Sequence, residues 1–223
     1  MPARLRPTAP IAPEAILVGD PGRALLLAQE LLEQPKMSNH ARGLWGYSGS
    51  TPGGDALTIQ STGIGGPSAA LVLADLTELG VKRAIRVGTC IALEEGLAPG
   101  RLLVVDEAIA VGGSAAAFGA GSGASLPPDR KLTARLCDEL GDDAKRVAVA
   151  SFDDHPPPAG PEKAVAADMQ SAPLLARARG LGVDVAAMLI VAESVAGNQL
   201  TKDELEDLER TAGRAAARAL LSP

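Results

Sequence analysis

The chain has 223 residues, a formal net charge of −6 and only 2% aromatic residues. That length suits one α/β domain, expected to span residues 1–223. The acidic balance argues against a general nucleic-acid or anionic-membrane surface while leaving room for a small cationic pocket. Few aromatics leave no stacking platform for single strands, and two cysteines (Cys90, Cys137) and two histidines (His40, His155) without ligand spacing point away from a structural zinc and towards a reducing compartment. The start, MPARLRPTAPIAPEA, has no apolar core before a cleavage site, and no run approaches a membrane span, so a cytoplasmic protein is expected.

After a Pro-rich arm to Pro13, Ala15–Val18 reads as a short strand ending in Gly19, Asp20, Pro21, Gly22 and Arg23. Leu25, Leu26, Ala28, Leu31 and Leu32 predict a helix behind it. Arg23 falls in its first turn, where a cation opposes the helix dipole at a cost of a few tenths to about 1 kcal/mol. A bound anion would account for that placement; a solvated surface arginine is the alternative. Asn39–Gly49 reads as a β-like stretch carrying Arg42, a further candidate cation or a salt-bridging strand residue, before a turn at Pro52, Gly53 and Gly54.

Ala56–Ile59 predicts a strand, Gly63, Gly65 and Gly66 a turn, and Pro67–Leu79 a helix. Pro67 suits a first helical turn, Ala70, Leu71, Ala74 and Leu79 recur at roughly helical spacing, and Gly80 ends the run. Ala84–Val87 predicts the next strand, which runs into Gly88 and Thr89. A strand, helix, strand unit brings its two glycine loops to one end, where backbone N–H groups can approach an anion and Arg86 is placed to complete the site. The alternative is that the glycines only make tight turns and Arg86 pairs with an acidic neighbour. Neither a GxxxxGK[ST] loop nor a dinucleotide fingerprint occurs.

Leu102–Val105, continuing towards Ala110, predicts a strand, and Gly112–Pro128 a long Gly-, Ala- and Ser-rich loop. Lys131–Leu140 predicts a helix with Leu132, Leu136 and Leu140 on one face. Arg146–Ala150 predicts a strand, Ala166–Ala172 a strand end leading into a helix to about Gly180, and Val183–Ala192 the last strong strand, ending at Glu193. Thr201–Leu221 closes as an amphipathic helix: Thr201 and Glu204 form a capping box, and Leu205, Leu208, Ala212, Ala216 and Ala219 a packing stripe.

Four motifs in order, GDPGR (Gly19–Arg23), ARGLWGYSG (Ala41–Gly49), STGIGGPS (Ser61–Ser68) and RVGTC (Arg86–Cys90), resemble the nucleoside phosphorylase family that includes hexameric purine nucleoside phosphorylases and uridine phosphorylases. STGIGGPS looks like the uridine version and the ARGLWGYSG and RVGTC runs closer to the purine version, so the base class stays open. The resemblance implies an α/β fold with a twisted mixed, partly barrel-like central sheet flanked by helices. It also implies a homo-oligomer built from dimers and phosphorolysis of an N-glycosidic bond, giving free base and pentose 1-phosphate. Inorganic phosphate would be the co-substrate, with no other cofactor and no metal, nucleic acid or membrane partner.

By the same resemblance, Gly19, Arg23, Arg86 and Thr89 hold phosphate, and Arg42 reaches into the neighbouring subunit's site; the paired donors of a guanidinium suit a phosphate. Phe152 or His155 corresponds to a base-contacting aromatic. Ala166–Ala172 resembles the ribose segment, with Asp168, with Met169 packing on the sugar, and with Gln170 where the family usually has glutamate. A neutral amide still accepts a hydrogen bond but should weaken both sugar binding and stabilisation of a cationic transition state. Glu193 stands where purine phosphorylases place an aspartate that protonates the leaving base; a helix-start carboxylate is the alternative. Arg86 and Glu193 are the expected catalytic residues. Ile91 replaces a usual glycine, and no arginine follows Glu193 within Ser194–Asn198. These departures keep two rivals in view, a hydrolase of the same fold, against which the three arginines argue, and a homologue that binds without turnover.

Overall fold

The computed structural model describes residues 2–141, 145–154 and 160–222. Among these residues, ten strands join one sheet: β1 (Glu14–Val18), β2 (Glu33–Asn39), β3 (Gly46–Ser50), β4 (Ala56–Ser61), β5 (Arg83–Ala92), β6 (Leu102–Ala110), β7 (Ser125–Leu126), β8 (Lys145–Ser151), β9 (Ala166–Asp168) and β10 (Asp184–Ser194). The helices are α1 (Pro21–Leu31), α2 (Gly65–Glu78), α3 (Arg130–Leu140), α4 (Ser171–Leu181) and α5 (Lys202–Leu221).

The strand order β10-β6-β8-β9-β5, with β5 also paired to β10, closes five strands into a mixed, barrel-like ring. From β5 an open wing continues through β1, β4 and β3 to β2. Strand β1 runs parallel to both β4 and β5, and β5 parallel to β10, so these strands deliver their carboxyl ends to one side. In an open α/β sheet the crevice outside those ends is where ligands bind.

Strict alternation along the strands fills both faces. Ala15 and Leu17 of β1, Ala84 of β5, and Val185, Ala187, Leu189 and Val191 of β10 pack under α2 and α4. Their alternates Ile16 and Val18, Ile85 and Val87, and Ala186, Met188 and Ile190 pack under α1, α3 and α5. Helices on both faces explain why these strands read as continuous apolar runs rather than as alternating ones.

Two expectations and one alternative reading change. Asn39–Gly49 is not one β-like stretch: β2 ends at Asn39, and a 3₁₀ turn (Ala41–Gly43) intervenes before β3. Arg42 sits in that turn with φ at 60°, a left-handed conformation that a strand does not allow. The segment Gly112–Pro128 is not all loop, because it contains a 3₁₀ turn (Ala116–Phe118) and β7. Glu193 lies at the end of β10 rather than at a helix start.

The amino-terminal arm is clasped to α2. The N–H groups of Arg4 and Leu5 donate to Asp75 at 2.6 and 2.9 Å, and the Arg4 guanidinium adds a third bond at 3.0 Å. Burial pushes the Asp75 carboxyl up, but the hydrogen bonds from Leu5 and Arg4 outweigh it and hold the group below the ordinary aspartate value.

Candidate active site

A cleft of about 420 Å³ opens at the carboxyl ends of β1, β4, β5 and β10. It is lined by Gly19 and Arg23 from the β1–α1 junction, Arg86 and Thr89 from β5, Asp168, Met169 and Gln170 from the β9–α4 junction, and Glu193 from β10. These eight residues were singled out in four separate segments of sequence, and the parallel strands β1, β5 and β10, together with β9 running antiparallel to β5, bring them to one place. Ile64, Cys90, Ile91 and Ala192 add apolar wall.

Arg86 points from the centre of the sheet. It is 5% exposed, and its guanidinium donates to Gln170 Oε1 at 2.6 Å and to Asp168 Oδ2 at 3.1 Å. Gly88 makes this possible: it shares a strand face with Arg86, and a Cβ there would lie 2.5 Å from Nη2. Burial lowers the Arg86 pKa and the Asp168 carboxylate pushes back. Arg86 thus lines the cleft and also pairs with an acidic neighbour, the second of which the alternative reading from sequence expected.

Asp168 is saturated with donors. Besides Arg86 it accepts from the Ser151 hydroxyl at 2.6 Å, the Ser171 hydroxyl at 2.7 Å and the Ser171 N–H at 3.0 Å. A buried carboxylate is tolerable only with such compensation. Gln170 is tied at both ends of its amide. Its Oε1 takes Arg86 and the Thr62 hydroxyl (3.3 Å), and its Nε2 donates to the carbonyls of Gly63 at 2.6 Å and Gly65 at 3.3 Å. A glutamate could accept the Arg86 bond but could not donate to the two carbonyls.

Arg23 is the third residue of α1. Its N–H is capped by Asp20 at 2.9 Å, while its Nε donates to Glu209 of α5 at 2.6 Å. Burial raises the Glu209 carboxyl above its usual value, and Arg23 draws it back. The two arginines of the cleft are near enough that Arg23 adds to the lowering at Arg86. Cys90 is an inert wall residue, since burial pushes its thiol far up.

Two sequence-derived site residues stand apart from the cleft. Arg42 is exposed and does not line its own chain's cleft. Phe152 is buried among Ile109, Ala150, Ala164 and Ala167, where its ring fills an aliphatic cluster behind the cleft instead of lining it. His155 lies outside the described residues. Conversely, Glu209, Thr62, Ser151 and Ser171 were not anticipated. Glu209 did leave a trace: it falls four residues after Leu205 and three before Ala212, a carboxylate on the packing stripe of an amphipathic helix. Among the described residues no group of three or more His, Cys, Asp or Glu could hold a metal ion, and no helix is long and apolar enough to cross a membrane.

Together these features define an α/β protein with a barrel-like ring and a polar cleft, carrying two arginines, across its strand ends. The model of the Phosphorylase superfamily matches residues 13–222, and the chain belongs to that family. Among curated proteins it is similar to a DeoD-type purine nucleoside phosphorylase of Oceanobacillus iheyensis, 43% identical over 86 residues, which cover 38% of this chain and 36% of that protein. A protein of the same description from Alkaliphilus metalliredigens is 42% identical over 86 residues, covering 38% and 36%. One from Caldanaerobacter subterraneus is 42% identical over 85 residues, with the same shares. The matched stretch thus spans little more than a third of the length of these relatives.

Proposed function

We propose that this chain, acting as a single domain, cleaves the N-glycosidic bond of a nucleoside with inorganic phosphate, releasing free base and pentose 1-phosphate. The observation that carries this reading is the convergence of Arg23, Arg86, Thr89 and Gly19 in one cleft, with Glu193 on its wall. Guanidiniums and a backbone turn at a helix start suit a phosphate, and membership of the Phosphorylase superfamily supports the reaction class. Phosphate held there attacks the anomeric carbon, the carbon–nitrogen bond breaks, and Glu193 delivers a proton to the departing base. The bound anion also stabilises the positive charge that develops on the sugar.

Asp168 orients Arg86, Met169 packs on the sugar, and Gln170 holds the glycine loop against Arg86. The base is a purine, as the names of the similar proteins suggest. Phe152 acts only as backing for the cleft. Arg42, exposed on its own chain, serves the neighbouring subunit of a dimer-based homo-oligomer. Neither a cofactor nor a metal is needed for this chemistry.

The test is chromatographic detection of free base from a panel of purine and pyrimidine nucleosides, ribo and deoxy, with and without phosphate. Phosphate-dependent release from purine nucleosides is expected. Release that ignores phosphate would make the protein a hydrolase, and no release would leave a binding protein.

A further inference from the structure

Arg23 and Glu209 are 186 residues apart in sequence, yet they meet at 2.6 Å with side chains only 10% and 6% exposed. Two matched positions produce this meeting. Leu27 lies one turn beyond Arg23 on α1 and Gly213 one turn beyond Glu209 on α5, and a Cβ on Gly213 would fall 2.5 Å from Leu27 Cδ2. Glycine inside a helix costs about 1 kcal/mol relative to alanine. Here it allows the close approach of the two helices that lays Glu209 over Arg23.

The atom that Glu209 grips is informative. A guanidinium carries Nε and two terminal nitrogens, and the carboxylate takes only Nε. Among the described residues the one side-chain hydrogen bond that Arg23 donates is this one from Nε, and Arg23 lines the cleft. A buried carboxylate is costly unless it is paired, and Asp20 and Glu206 press on Glu209 with like charge. Leucine on that stripe would pack at lower cost.

We infer that Glu209 is a positioning residue of the phosphate site: it holds Arg23 by Nε so that the terminal N–H groups face the anion. The inference rests on the phosphorolysis reading for the identity of that anion. Glu209 touches no substrate and acts through Arg23, from a helix that contributes nothing else to the site. Its charge works the other way, because a carboxylate beside Arg23 competes with phosphate. Geometry and charge are therefore separable.

The experiment titrates inorganic phosphate into the full-length protein by calorimetry and compares phosphate KM and kcat for the wild type, Glu209→Ala, Glu209→Gln and Arg23→Ala, and for the double Arg23→Ala, Glu209→Ala variant. Glu209→Ala is expected to weaken phosphate about tenfold, the size of one charged hydrogen bond, with kcat at saturating phosphate little changed. Glu209→Gln keeps an oxygen for Nε and should bind phosphate at least as well as the wild type. The double variant should be no weaker than Arg23→Ala alone. Unchanged or tighter phosphate binding by Glu209→Ala, or additive losses in the double variant, would overturn the role. If Glu209→Ala does not fold, Gly213→Ala carries the test: lifting α5 from Leu27 should weaken phosphate, and an unchanged affinity would count against the proposal. A wild type that binds phosphate in a Glu209-dependent way but cleaves no nucleoside would support the positioning role while removing the phosphorolysis reading.

Discussion

The two arginines of the cleft reach the same place by different means. Arg86 lies in the closed ring, on a central strand, and its partners Asp168 and Gln170 belong to one short junction between β9 and α4. Arg23 stands at the start of a helix on the other side of the cleft and is held by a carboxylate from the last helix of the chain. Each cation faces a buried carboxylate within the protein before any anion arrives. The cleft is therefore balanced rather than strongly positive, and an anion must compete on geometry, through donors already aimed at it.

The sharpest way to break this comparison is Arg86→Ala, which leaves Asp168 buried without its counter-charge. We expect about 3 kcal/mol of lost stability in urea melts, together with loss of the phosphate dependence of turnover. Arg23→Ala should cost clearly less stability, because the side chains of Arg23 and Glu209 are 10% and 6% exposed, against 6% and 1% for Arg86 and Asp168. Equal losses would show that the two settings are not different. Next comes Gly88→Ala. Its methyl group would sit 2.5 Å from Arg86 Nη2 and 2.9 Å from Leu189 Cδ2, so about 2 kcal/mol of overpacking and a raised phosphate KM are expected, with the Arg23 ion pair untouched.

Gln170→Glu sharpens the account of the ring side. It replaces an N–H donor 2.6 Å from the Gly63 carbonyl by an acceptor, and should cost about 1–2 kcal/mol. Faster hydrogen exchange in the Gly63–Gly65 loop would report it, and unchanged exchange would show that the amide does not hold the loop.

The smallest effect is expected away from the cleft. Asp75→Ala should lose about 1 kcal/mol near neutral pH, with the cleft unaffected. The folded carboxyl of Asp75 lies below its unfolded value, so its contribution is complete above the unfolded value near 3.9 and disappears as pH falls through the folded one. Wild type and variant should therefore converge in acid, which a pH series of melts would check.

Much of the site was legible because local backbone chemistry writes it locally. The glycine turns, the proline at a helix start, Arg23 in the first turn of α1, and Arg86 two residues before Gly88 are short-range patterns, and the motifs they form mark the strand ends of the cleft. The same short range explains the errors. Asn39–Gly49 has strand-like composition, yet the chain bends at Ala41–Gly43 because Asn39 donates at 3.3 Å to the Ala41 carbonyl and also to that of Leu44, a competition between side chain and ladder that composition does not carry. Phe152 was singled out as a rare aromatic beside a break, but its side chain turns to the apolar cluster.

The sequence by itself therefore determined the alternation that buries both faces of the sheet, the helix starts, and which residues stand at the strand ends, since each depends on neighbours a few positions away. Only the tertiary structure decided that β5 pairs with β10 to close the ring, that Gln170 joins the glycine loop to Arg86, and that Glu209 meets Arg23 across 186 positions. Those depend on which packed surfaces come together, and a contact between distant segments has no local pattern to announce it.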